Sequence, residues 1–163
     1  MATIDMALLE GNGSHQSLFS NVRKVYVIDN EVDIADAVTA KGSALAAADV
    51  IQALNIPANS MILGGGIEVL TATTGTATDV TIDVGITGGD VDLLVDGFDL
   101  DGAAAGAHSA NGVQTATVVA TADTVDILIP TMTGTLLTGV VRVWAVIADI
   151  GDSESPGLAA LGS

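Results

Sequence analysis

The chain has 163 residues, enough for one domain with a real core, and it carries twenty acidic residues against four basic ones, a formal net charge of −16. Four basic side chains (Arg23, Lys24, Lys41 and Arg142) cannot build a phosphate-binding surface, so nucleic acid is excluded as a direct partner. The absence of cysteine excludes disulfides, thiolate nucleophiles and Cys-based zinc sites, and the aromatic side chains that wall most ligand pockets are reduced to Phe19, Tyr26, Phe98 and Trp144.

Residues 1–21 show no sustained period and include Gly11, Gly13 and Ser14, which predicts an extended N-terminal arm with one short helical turn at residues 6–10. The same stretch lacks a basic segment followed by a long apolar run, and is not read as a secretory signal. Residues 22–29 (VRKVYVID) are β-branched and stop at Asn30, a strand. Residues 42–57 are ambiguous: Ser43 and the alanine run fit a helix start, whereas Val50, Gln52, Leu54 and Ile56 before Pro57 fit a strand from Asp49, and the strand is preferred. Residues 60–73 (SMILGGGIEVLTAT) read as a strand pair, or as one strand broken by a bulge at residues 64–66.

The period-2 signal is strongest at residues 77–87. Val80, Ile82, Val84 and Ile86 are expected inward, with Thr81 and Asp83 outward. Strands follow at residues 112–120 and 123–131. The last, residues 140–150, is apolar on both faces: Val141, Val143, Ala145 and Ile147 on one, Val140, Trp144 and Val146 on the other. It is too short for the roughly 18 residues of a membrane helix, as is every other apolar run, so no membrane partner is read. A sandwich strand needs only one apolar face, so the second calls for a covering loop, the arm or another subunit. Short strands spaced by Gly, Asn, Asp and Thr predict an all-β protein, an antiparallel β-sandwich or jelly roll. The domain is placed at residues 22–150, with the arm at 1–21 and a tail at 151–163.

Candidate chemistry is concentrated in residues 81–108, where aspartates and glycines alternate with aliphatic residues and no lysine or arginine occurs. A calcium loop needs oxygen ligands at fixed positions. With Asp99, Asp101 and Gly102 at its third, fifth and sixth positions, Gly97 would stand first and His108 last, leaving both end carboxylates missing. These aspartates are therefore read as solvent-facing turn residues, with no metal and no cofactor. His15 and His108 form no ligand pair, and Ser109 beside His108 is an adjacency without a triad. The LGGGIE stretch lacks the Lys-Ser/Thr of a phosphate loop. The pair Asp90 and Asp92 has no sugar platform to work against. No catalytic residue is assigned, and the protein is not read as an enzyme.

Residues 48–90 (ADVIQALNIPANSMILGGGIEVLTATTGTATDVTIDVGITGGD) resemble small virion proteins encoded with the structural genes of tailed bacteriophages, those of cyanobacterial phages especially. Shared features are a strand ending in Ile56-Pro57, a Gly-x-Glu-Val strand at residues 66–69, and the strand before the Asp/Gly-rich loop; the closing VRVWAVIADI at residues 141–150 is similar as well. The sequence departs from the pattern at Ile86-Thr87-Gly88, where Asp/Gly is usual. The resemblance implies a cement or decoration protein, a β-sandwich knob on the major capsid protein lattice, often a homotrimer. The charge agrees, because a −16 chain is repelled by packaged DNA and belongs on the outer capsid surface. The alternatives are a tail- or fibre-associated binding module and, further off, a calcium-dependent carbohydrate-binding module.

Overall fold

The computed structural model describes residues 3–5, 25–110 and 116–150. In chain order these form β1 (Thr3–Asp5), β2 (Val25–Asp33), α1 (Ile34–Lys41), β3 (Val50–Ile56), β4 (Ser60–Gly75), β5 (Asp79–Gly85), β6 (Val95–Asp99), β7 (His108–Ser109), β8 (Thr117–Val119), β9 (Asp123–Thr133) and β10 (Leu136–Asp149). Two sheets result. One has the order β1-β3-β9-β5-β6; the other has the order β2-β10-β4-β7, with β8 also pairing along β4. All pairings are antiparallel except β1 with β3. The expected β-sandwich is what forms.

Both sheets supply one face to a single core built almost entirely from Val, Ile, Leu and Ala. Val80, Ile82, Val84 and Ile86 all point inward, as their alternation predicts, and so do Val141, Val143, Ala145 and Ile147 on β10. β-Branched side chains suit this role, being stiff at χ1 and well packed on a pleated surface. Each fully buried one contributes about 1.5–3 kcal/mol of transfer free energy. Tyr26 and Phe98 only flank the core.

Several local features differ from expectation for physical reasons. β2 does not stop at Asn30 but continues to Asp33. Asn30 is buried because its amide has a partner: Nδ2 donates to the carbonyl of Ala53 at 3.0 Å. Ala53 lies at the register shift between Gln52 and Leu54, where the β3 ladder with β9 is interrupted, so this bond ties one sheet to the other. After β2 comes a helix that the sequence reading did not include. Asp33 caps it, accepting from Ala35 N–H at 2.7 Å. Gly42, at φ +74°, closes it by donating to the carbonyls of Val38 and Thr39.

β4 is one strand of 16 residues rather than two. Of the four register shifts in its pairing with β10, the one nearest the expected break falls where Val146 pairs with Gly64 and Ile147 with Ile62, leaving Leu63, not residues 64–66, as the extra residue of a bulge. β3 starts at Val50, one residue after the expected Asp49. Pro130 lies inside β9, a strand flanked on both sides, at the register shift in its pairing with β5, where Thr131 faces Thr81 and Leu128 faces Asp83; on the β3 side the last bonds are made by Ile129, with Ala48 and Asp49. Within the stretch read as an arm, Thr3–Asp5 pairs in parallel with residues 50–52. The helical turn expected at 6–10 and the tail at 151–163 lie outside the described residues.

Candidate interaction face

The aspartate-rich stretch 81–108 resolves into the end of β5, a loop over residues 86–94, β6 and a run of turns into β7. The loop folds back so closely over Gly85 that a Cβ there would lie 2.2 Å from the carbonyl oxygen of Asp90. Only glycine tolerates that approach. The carboxylates serve local backbone groups. Asp83 accepts from Gly97 N–H at 2.7 Å, and Asp99 from Asp101 N–H at 3.0 Å. Hydrogen bonding to the Asp92 side chain, then desolvation and the negative charge of Asp92, hold the Asp90 carboxyl above its ordinary pKa. His108 is exposed, with Nδ1 3.1 Å from the carbonyl oxygen of Gly106; Ser109 follows it on the two-residue β7. His15 lies outside the described residues. Among the described residues no group of three or more His, Asp or Glu side chains is arranged to hold a metal ion.

A different surface stands out on the outer face of the second sheet. Strand register places its residues in rows that run across β2, β10, β4 and the β7/β8 flank. At one end, Val25, Ala148, Met61 and Val118 form a row. Next come Val27, Val146 and Gly64, with the bulged Leu63 beside them. The third row is Asp29, Trp144 and Gly66. The fourth is Glu31, Arg142, Glu68 and His108. The face is thus apolar at one end and charged towards the other.

Ion pairs organise the charged part. Arg142 stands 3.2 Å from Glu31, 3.4 Å from Glu68 and 3.8 Å from Asp29. With three carboxylates to one guanidinium the cluster keeps a net charge of −2. All four side chains are more than a third exposed, so each pair adds little stability. Their value is to fix the pattern of charge on the face.

The apolar part is exposed. Val25 and Val27 are each 62% accessible, Val118 54% and Leu63 38%. The fifth exposed large hydrophobic residue among those described, Leu137 at 51%, also belongs to this sheet but sits at the start of β10, away from the other four. The outer side chains expected to need cover, Val140, Trp144 and Val146, are instead partly buried within the chain's own sheet. β10 is flanked on both sides, by β2 and β4. The uncovered apolar surface has moved to the flanking strands. Sequence reading placed a strand at residues 22–29 but did not single out Val25 or Val27, and Leu63 and Val118 carried no signal of their own. Only register brings the four together.

No family model matches the sequence, and no curated protein matches it. Solved structures do show the same fold. The chain is similar to a chain of the capsid asymmetric unit of cyanophage Pam1, with a TM-score of 0.54 and 19% identity, covering 86% of this chain and 99% of that one. It is also similar to a chain of the capsid of Ralstonia phage GP4, with a TM-score of 0.56 and 17% identity, covering 93% of this chain and 100% of that one. At these identities the likeness is one of fold.

Proposed function

We propose that the protein is a structural component of a tailed-phage virion, a cement or decoration protein that sits on the outer capsid surface and stabilises the major capsid protein lattice. The observation that carries this reading is the fold, which matches chains from two phage capsid structures over nearly their whole lengths. The site chemistry supports the same conclusion. Aspartates engaged in turns and an exposed apolar face suit binding a surface better than turning over a substrate, so the role is structural and not enzymatic. The charge of −16 favours the outside of a particle filled with DNA.

Assembly as a homotrimer completes the reading. Three linked copies facing a repeated lattice multiply a weak single contact into avidity, and a closed threefold matches the local threefold positions of an icosahedral shell. Two measurements test the proposal. Quantifying the chain in purified particles should give hundreds of copies; a handful would assign it to the tail or its fibres. Sedimentation of the purified protein at tens of micromolar should show a trimer, and a single monomeric species would remove that part of the reading.

A further inference from the structure

We propose that the apolar end of the outer face, formed by Val25, Val27, Met61, Leu63, Val118 and Val146, is the seat of a different chain, one presenting an apolar patch bordered by Lys or Arg, and not of a second copy of this protein. The inference rests on the capsid reading and names the surface that makes the attachment. Scattered exposed apolar residues are ordinary on a soluble protein, but contiguous ones mark interaction sites. Four of the five exposed large hydrophobic residues described here occupy two adjoining rows on β2, β4 and β8.

Charge decides what can cover them. The next rows along the face carry Asp29, Glu31 and Glu68 against Arg142 alone. The other basic residue among those described, Lys41, is engaged with Asp49. As far as the described residues define it, a second copy docking on this surface would therefore set one acidic border against another. A partner with a basic border instead gains electrostatic complementarity, which raises the association rate and excludes wrong partners. The apolar centre supplies the holding energy once the border has oriented the encounter.

The test uses the full chain and capsids of the phage that encodes it, purified without this protein. Val27→Asp and Leu63→Asp place a carboxylate in the patch without touching the core, and Leu137→Asp is an exposed control outside it. Co-sedimentation should show capsid binding weakened at least about tenfold by the first two, the loss expected when a charge enters a desolvated contact, and unchanged by the third. Sedimentation velocity should show the parent's oligomeric state in all three. Parental binding should weaken as salt rises from about 0.05 to about 0.5 M, because the border attraction is screened. Normal binding by Val27→Asp and Leu63→Asp would overturn the proposal. So would a smaller oligomer, which would make the patch a copy-to-copy contact. A large fall in melting temperature of the isolated variants would show the chain's own terminal residues covering it, and would overturn it too. Failure of the parent to bind capsids at all would instead defeat the capsid reading, and this inference with it.

Discussion

Replacing Lys41 with methionine should be one of the most destabilising single changes outside the core. Lys41 ends α1, and its Nζ donates to the carbonyl of Ala44 at 2.7 Å and to the carboxylate of Asp49. The same Asp49 oxygen accepts from Ala46 N–H at 2.8 Å. Side-chain exposure is 13% for Lys41 and 4% for Asp49, so this pair, unlike those of Arg142, is shielded from solvent. Methionine keeps the aliphatic stem and removes the charge, leaving a buried carboxylate without its counter-ion. Breaking buried pairs this way costs about 3–5 kcal/mol. Asp49 retains the Ala46 bond and Lys41 is not wholly enclosed, so about 2–4 kcal/mol is expected here. On a domain of this size that is about 5–15 °C in melting temperature. Urea unfolding should show the loss as a lower midpoint at constant slope. Adding Asp49→Asn to Lys41→Met should recover half or more of it, since the stranded charge is then gone. A Lys41→Met variant within about 0.5 kcal/mol of the parent would refute the reasoning and show that the turn between α1 and β3 is held by backbone bonds alone.

Gly65→Ala should destabilise by about 1–3 kcal/mol, as overpacked sites do, because its Cβ would lie 2.5 Å from the backbone oxygen of Trp144; Gly64→Ala, with nothing within 4 Å, should melt close to the parent. Ala48→Gly should stabilise by about 0.5–1 kcal/mol in urea unfolding, since Ala48 is held at φ +68°, where glycine is unstrained. The Asp90 carboxyl should titrate above its ordinary range by NMR and fall back in Asp92→Asn. A carboxyl whose folded pKa is raised adds stability that is complete below its unfolded pKa and is lost as pH rises through the folded one, so Asp90→Asn should not lower stability at neutral pH. Calcium or EDTA at about 1 mM should leave the melting temperature within about 2 °C, because only a ligand bound to the folded state adds linkage stability; a drop of ten degrees or so with EDTA, reversed by calcium, would show that the aspartates of residues 81–108 bind a metal.

The strands were legible wherever alternation carried their burial. At residues 80–86 the period-2 pattern puts Val80, Ile82, Val84 and Ile86 in the core as expected, although Gly85, on the alternate face, is buried as well; at residues 140–148 the alternation separates two faces but, both being apolar, does not say which is core. The helix was harder to see, although its signals were present in Asp33, Lys41 and Gly42. It is only eight residues long and buries just Ile34 and Ala37, so its apolar stripe is too short to show a 3.6-residue period against the strands around it. Asn30 was misleading for the opposite reason. Its residue type signals a turn, yet a carbonyl freed by the irregularity in β3 lets it sit buried in a strand. That partner is 23 positions away in sequence, beyond the reach of local reasoning.

The interaction face was illegible for a deeper reason. Val25, Leu63 and Val118 lie far apart in the chain, and each alone is an unexceptional strand residue; what joins them is register, which depends on the bulge at Leu63 and on β8 pairing along β4. The two sheets also differ in a way composition cannot reveal. All five exposed large hydrophobic residues among those described lie on strands of the β2-β10-β4 sheet. Among the residues whose burial is described the other sheet presents none: its outward positions include Thr81, Asp83 and Gln52, and the loop over residues 86–94 folds across Gly85. A sandwich that met only water would gain nothing by treating its two outer faces so unequally, since each exposed aliphatic side chain forgoes transfer free energy that burial would recover. The imbalance is the ground on which this face is proposed to meet another molecule. The acidic row beside its apolar end favours, on that proposal, a molecule able to offer positive charge.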